Sequence, residues 1–412
     1  MDNSVVKKQG GIFTIPVLVA ALGYFVDIYD LLLFSIIRVT SLKEMGLNDI
    51  QVRDSGEKII SYQMYGLLIG GIIWGILGDK KGRLSVLFGS IMVYSIANIA
   101  NGFVHNVDQY AWVRFIAGLG LAGELGAGIT LVSELTSKEK RGLATSMVAG
   151  LGLTGAIFAY FIKQHFEWRT CFFIGGGLGI CLLLLRITVF ESGMYHQVKK
   201  LEVQRGNFFM LFSNGERLKR YILSILIGLP TWYVVGVLIT FSKEFATAFN
   251  ITGSIDAGKA VMYSYVGVSV GGILTGLLSQ WLKSRKKTLQ IFYAITVLFI
   301  LLYFTTQQNG TPQLMYWLCC GLGFGTGFWA IFVTMGAEQF GTNLRATAAT
   351  TIPNMVRGTL PLILILFQFL RTNSGSYITG AWITGTIIMT ISIIASFGIK
   401  ETFNKDLNFL EE

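Results

Sequence analysis

Apolar residues in this chain run in long blocks, and short polar or charged turns separate one block from the next. About twelve blocks approach the ~20 residues that cross a hydrocarbon layer. They lie at roughly 14–37, 58–78, 84–104, 109–134, 142–163, 168–189, 221–242, 260–282, 288–305, 313–338, 346–370 and 376–398. The pattern predicts an all-α polytopic membrane protein with twelve transmembrane helices and no soluble domain. It also repeats. Gly70-Gly71-Ile72-Ile73-Trp74-Gly75-Ile76-Leu77-Gly78-Asp79 has a second version in Gly271-Gly272-Ile273-Leu274-Thr275-Gly276-Leu277-Leu278-Ser279-Gln280, and a basic turn follows each. Glu134 stands seven residues before Arg141, and Glu338 seven before Arg345. Matching offsets predict two pseudo-symmetric six-helix bundles, 1–190 and 221–412, joined by a linker at 191–220.

Composition agrees. Hydrophobic residues make up 52% of the chain and charged residues 14%, against roughly a quarter charged in soluble domains. The 49 glycines fall mainly inside the apolar runs, where small residues let helices approach closely in lipid. A formal charge of +10 invites a nucleic-acid reading, but its distribution removes it. With Met1 inside, the inner segments and tails hold 21 of the 33 Lys and Arg, and the outer loops and helix ends hold nine. That skew follows the positive-inside rule and predicts both termini, the linker and a short tail in the cytoplasm. Cys171, Cys181, Cys319 and Cys320 all lie in predicted helices and read as reduced packing residues. The first run is too long for a signal peptide and is expected to be retained. The histidines, His105, His165 and His196, lie in loops far apart, so no metal site, cofactor or enzyme is expected.

Charges inside the runs carry more information, because each costs ~2.5–3.5 kcal/mol on insertion scales unless paired or used. Asp27 and Asp30 share one face near the middle of the first run. Arg114 lies in the outer part of the fourth, with Glu124 about 15 Å deeper at helical rise. The eleventh carries Asn354, Arg357 and Gln368 on one stripe, with Pro353 and Pro361 interrupting its ladder. Asp27 or Asp30 with Arg114 reads as a proton-coupling pair, since burial and a nearby guanidinium pull a carboxyl's proton affinity in opposite directions. Glu124 is the next candidate, and Arg357 reads as the anion anchor from the second half. Static bridges that only orient helices are the alternative for each carboxylate. Arg186 is expected to snorkel, and Trp74 and Trp281 to sit in an interfacial belt.

Gly75-Ile-Leu-Gly-Asp79-Lys80-Lys-Gly82-Arg83 is similar to the G-x-L-x-D-[RK]-x-G-R loop of the major facilitator superfamily. Arg114-Phe-Ile-Ala-Gly118-Leu-Gly120 resembles its R-x-x-x-G-x-G motif in helix four. Asp27-Ile-Tyr29-Asp30, the run Gly118 to Gly126 through Glu124, and the Glu191-Ser192 and Glu401-Thr402 endings resemble metabolite:proton symporters and sugar porters within it. The resemblance covers nearly the whole chain and implies the major facilitator fold and alternating access. It implies a cytoplasmic gate of Gly75, Asp79, Lys80, Gly82, Arg83, Glu134 and Arg141, with Glu338 and Arg345 in the second half. Gln280 stands where that half would repeat Asp79. A substrate set of Arg114, Asn354, Arg357, Gln63, Tyr233 and Trp329 is expected, with Trp232 beside it. The implied function is proton symport of a small organic anion or zwitterion by a monomer in the inner membrane of a bacterium. Drug/proton antiport and sugar transport are the alternatives.

Overall fold

The computed structural model describes residues 15–81, 83–124, 126, 148–191, 208–405 and 411. Helices occupy all twelve expected places among them. They are α1 (Ile15–Glu44), α2 (Asp49–Lys81), α3 (Arg83–Asn101), α4 (Val107–Leu121), α5 (Gly155–His165) and α6 (Trp168–Glu191). The second half supplies α7 (Gly215–Ile239), α8 (Ala257–Trp281), α9 (Arg285–Thr305), α10 (Pro312–Glu338), α11 (Asn343–Ser374) and α12 (Tyr377–Gly398). Among the described residues, nine helices are long and apolar enough to cross a membrane. α7 begins at Gly215, inside the stretch expected to be linker, and Asn214 caps it by accepting from Glu216 N–H at 2.9 Å. The lipid-facing girdle is apolar: Trp281, Trp317, Leu184 and Phe397 are well exposed. Trp74 does not belong to it. Its indole is buried and donates to Leu119 O at 2.7 Å, because Gly70 lets α2 settle onto α4 there.

The internal repeat is visible in backbone packing. A Cβ on Gly66, Gly70 or Gly118 would run into backbone of the partner helix in the α2/α4 pair. Gly267, Gly271 and Gly323 occupy the matching positions of the α8/α10 pair and meet the same obstruction. Gly120 against Tyr94 and Gly325 against Thr296 repeat the relation for α3 with α4 and α9 with α10. Close approach maximises dispersion contact where lipid supplies no hydrophobic driving force between helices. The halves meet along α2 with α11, and along α1 and α5 with α8.

The Lys400-Glu401-Thr402 ending has a structural role. Glu401 accepts from Ser284 Oγ and from the backbone N–H of Arg285 and Lys286, which caps the start of α9. Burial pushes its carboxyl up, but Ser284 and the N–H groups of Phe403, Arg285 and Lys286 outweigh burial and hold it below the usual carboxylate range. A depressed carboxyl stabilises the fold above its unfolded value and loses that contribution as pH falls through the folded one. Glu401→Gln therefore lowers the thermal midpoint of the purified protein at pH 7, and the difference from wild type shrinks below about pH 4. An equal deficit at both pH values rules the charged cap out. For the packing, Gly118→Leu and Gly323→Leu each destabilise by about 1–3 kcal/mol or more. Gly177→Leu, at a position open to 4 Å, is the control and leaves the melting temperature unchanged.

Candidate functional site

Three helix interruptions in the second half position the chemistry, and turns at Ala122–Gly123 and at Thr154 interrupt the first half at the places that match the second and third of them. α7 passes from α-helix at Leu229–Tyr233 into a π-helical turn at Val234–Ile239. α10 breaks between Thr326 and Trp329, where Gly327 lies against the backbone of Gly271. α11 breaks between Gly358 and Leu360, with Pro353 and Pro361 removing backbone donors on either side. Broken helices persist at bilayer depth where they line a cavity or are enclosed by protein, and π turns recur at functional sites. Trp232, Trp329 and Arg357 sit at these three points.

Arg357 reaches across to the first half. Its Nη2 lies 3.7 Å from Asp27 Oδ2, while Nη1 donates to Asn354 Oδ1 at 3.4 Å. The guanidinium also stands 6.0 Å from the Trp329 ring centroid, whose plane is edge-on to Trp232 at 6.4 Å. Tyr24 and Tyr265 face the same pair. Asp27 and Arg357 are 0% and 1% exposed. Among the described residues, neither oxygen of Asp27 has a hydrogen-bond partner, nor do Tyr24 Oη, Thr231 Oγ1, Trp232 Nε1, Ser264 Oγ or Arg357 Nε. Buried polar atoms are nearly always satisfied. This concentration, drawn from both halves and set among flat rings, is the candidate site.

The pairing of charges differs from expectation. Arg114 was expected to answer either aspartate, with Arg357 held apart as an anion anchor. Asp27 instead belongs to Arg357. Arg114 Nη2 donates to the backbone O of Asp30 at 2.8 Å, Nη1 to Asn98 Oδ1 at 3.2 Å and Nε to Gln63 Oε1 at 3.3 Å. Gln63 also donates to Leu31 O at 2.9 Å, so it braces Arg114 and α1. Arg186 does not snorkel. It is buried and forms a two-pronged pair with Glu124, because Gly23 leaves room for both groups against α1. Tyr233 faces away from the site and donates to Ala381 O at 2.7 Å. Asn354 donates to Ala122 O at 2.7 Å and so ties α11 to the first half.

Of the expected cytoplasmic gate, Gly82, Glu134 and Arg141 lie outside the described residues, as do the side chains of Asp79, Lys80 and Arg83. Gly75 faces Thr351 closely, where a Cβ would stand 3.1 Å from Thr351 Cγ2. Glu338 is held by Arg285 of α9 at 2.7 Å, and Arg345 is half-buried. The opposite face, predicted to be outer, carries a clasp that the sequence did not reveal. Arg38 forks onto Glu244 at 2.7 and 2.9 Å, Lys163 meets Asp256 at 2.8 Å, and Arg371 meets Glu57 at 2.9 Å. Each pair joins one half to the other. Single-sequence reading places these charges near helix ends but has no means of matching ends two hundred residues apart.

The Major Facilitator Superfamily model matches residues 17–358. The chain belongs to the major facilitator superfamily. The niacin transporter NiaP of Acinetobacter baylyi is 27% identical to it, over 94% of this chain and 94% of its own length. The 4-hydroxybenzoate transporter PcaK of Pseudomonas putida is 26% identical over 81% of each chain. The solved structure of the proton:xylose symporter XylE bound to 6-bromo-6-deoxy-D-glucose superposes with a TM-score of 0.70 at 17% identity, covering 95% of this chain and 97% of that one. That likeness supports the fold alone. As a major facilitator protein the chain is a multi-pass membrane transporter for a small molecule, and not an enzyme.

The central ion pair makes a direct prediction. Removing one member of a buried pair typically costs ~3–5 kcal/mol, because the other charge is stranded. Arg357→Gln alone should therefore lower the melting temperature more than Arg357→Gln combined with Asp27→Asn. Additive losses in that cycle would mean that the two groups are not coupled in the folded protein.

Proposed function

We propose that this major facilitator protein is a monomeric proton symporter. It takes up a small organic anion across the inner membrane of a bacterium, with both termini in the cytoplasm. The observation that carries the reading is the occluded Asp27–Arg357 pair, one member from each half, surrounded by aromatic planes and polar atoms without partners. Arg357 is the anion receptor, since its planar fork matches a carboxylate. Asp27 is the proton carrier, because it competes with the incoming anion for that guanidinium. When substrate takes Arg357, the displaced Asp27 is a buried carboxylate that has lost its countercharge, and a proton replaces it. Arg114, bonded to the backbone of α1 at Asp30, and the Glu124–Arg186 pair hold the neighbouring helices in place.

The rings of Trp329, Trp232, Tyr24 and Tyr265 favour a flat body attached to the carboxylate. The names niacin and 4-hydroxybenzoate, carried by two relatives, describe such molecules. Gln63 and Asn354 act by bracing Arg114 and Arg357, and Tyr233 supports α12. Alternating access then follows from rocking of the two glycine-packed halves about the pair. The Arg38, Lys163 and Arg371 bridges close the outer side, and the Asp79 loop with its partners closes the inner one.

Thermal-shift screening against ring carboxylates, aliphatic acids, betaines and sugars identifies the ligand class, because ligand binding to the native state raises apparent stability. In proteoliposomes, Asp27→Asn should abolish accumulation driven by an imposed pH gradient and spare counterflow exchange of labelled substrate, which needs no net proton release. Accumulation that survives in Asp27→Asn removes Asp27 as carrier. Stabilisation by sugars alone removes the anion reading.

A further inference from the structure

The inner parts of α10 and α11, Trp329–Glu338 and Thr342–Gly358, form a helical hairpin with a hinge on each arm. One hinge is the break between Thr326 and Trp329, and the other lies between Gly358 and Leu360. Helices bend where the backbone ladder is broken. Trp329 and Arg357 stand at the roots of the hairpin, so its position sets theirs. Gly336 lets the arms close on each other, since a Cβ there would stand 3.2 Å from Ile352. One flank lies on α7, where a Cβ on Gly228 would come within 2.8 Å of Phe332 and Val356. The other flank lies on the first half, where Thr351 meets Gly75 and Asn354 meets Gly71. Arg285 of α9 holds the α10 arm at Glu338.

The α11 arm is held from beyond α12. Glu411 accepts from both ends of the Arg220 guanidinium of α7, at 3.0 and 2.9 Å, and from the backbone N–H of Gly341 at 3.2 Å. Arg220 also donates to Gln339 O at 2.6 Å and lies over the Phe340 ring at 5.3 Å. Arg217 Nε stands 3.7 Å from the same carboxylate. The Asn343 amide grips the backbone of Glu411 on both sides, donating to its C=O at 2.9 Å and accepting from its N–H at 3.0 Å. Side chain and backbone are thus fixed together at the hairpin tip, and the carboxylate is only 9% exposed. Burial pushes that carboxyl up, but Arg220 and the Gly341 N–H hold it below the usual carboxylate range, so it is ionised at neutral pH.

We propose that Glu411 is an intramolecular latch, which pins the α10–α11 hairpin to α7 and suppresses opening of the inner side by the hairpin alone. Which face is inner rests on the orientation in the proposed function, whereas the latch itself depends on neither substrate nor proton. The inner side opens when α11 parts from α2. With Glu411 in place, α11 leaves only as part of the whole second half, and Trp329 and Arg357 travel with Trp232 of α7. With Glu411 released, the hairpin bends at its two hinges, and the rings and the guanidinium lose their common frame.

The test uses the full chain without ligand, comparing wild type with Glu411→Gln, Arg220→Gln and the double variant. Glu216→Gln is the control, since that carboxylate is 75% exposed beside Lys400. In nanodiscs, hydrogen–deuterium exchange at 342–358 should be roughly tenfold faster in each latch variant, with α9 and α12 unchanged. The double variant should exchange no faster than either single one, because the same contact is lost in all three. Thr351→Cys, buried against Gly75, supplies a second readout once the four native cysteines are replaced by serine. An impermeant maleimide should label it roughly tenfold faster in inside-out vesicles when Glu411 is changed to Gln. Exchange that rises equally across the second half overturns the latch, because Glu411 is then a general stability contact. Exchange at 342–358 within about twofold of wild type also overturns it, even if labelling speeds up, because the whole half then moves. Local exchange with faster labelling confined to right-side-out vesicles upholds the latch and overturns the proposed orientation.

Discussion

A charge held in the middle of a lipid-embedded bundle needs a countercharge, and the Asp27–Arg357 pair meets that need across the boundary between two halves. Within one half, such a pair would only fasten helices together, as Glu124 and Arg186 do. Placed across the boundary, it makes the relative position of the halves depend on what occupies the pair. The surrounding structure serves that dependence. Arg114 grips the backbone of α1 at Asp30, Gln63 grips Arg114 and α1 together, and Asn354 holds Arg357 while bonding to Ala122. The result is a pair whose partners cannot wander but whose 3.7 Å separation leaves room for substitution.

The two halves share a repeat but divide the labour. Their backbones approach through glycines at corresponding positions, so each half moves as a packed unit rather than as loose helices. The carboxylates come from the first half, and the anion-facing guanidinium from the second. The interruptions of α10 and α11 have counterparts at Ala122–Gly123 and Thr154, but in the second half they stand beside Trp329 and Arg357, and the π turn of α7 follows Trp232. The repeat gives the scaffold and two of its interruptions, and the side chains set at those turns differ between the halves.

Much of this was legible before any coordinates. Apolar runs fix the helices, because only a helix satisfies its own backbone in lipid. The glycine-rich decads mark the α2 and α8 faces that press on α4 and α10, since close approach demands small residues in a fixed order. Asp27, Asp30, Arg114 and Arg357 stand out through their cost in lipid alone. Pairing is what resists reading. Helical periodicity gives the face a residue occupies but not the helix opposite that face. Arg114 thus looked like a partner for Asp27, and Arg186 looked free to reach the interface. Trp74 looked interfacial because its depth was readable and the gap beside Gly70 was not. Glu338 shares its spacing to Arg345 with the first-half pair, yet Arg285 of α9 takes it. The clasp on the face opposite the expected gate was the deepest omission, since the pairs named in it link segments remote in the chain.

That clasp also has the right strength for its place. Lys163 with Asp256 is partly open to solvent, whereas Arg38 and Glu57 are buried beneath their partners. Exposed ion pairs contribute about 0–1 kcal/mol each, because water recovers most of what separation loses. Closure by the Lys163–Asp256 pair is therefore shallow in energy, and the Arg38 and Arg371 pairs hold more firmly. The central pair is different, since parting it without replacement strands two charges in a dry interior. On the proposed function an anion with a proton supplies the replacement, so occupancy of the centre decides whether the halves can rearrange. A ligand shifts such an equilibrium by its differential affinity for the two arrangements. On the proposed function that difference is concentrated at Arg357, which pairs with Asp27 of the opposite half.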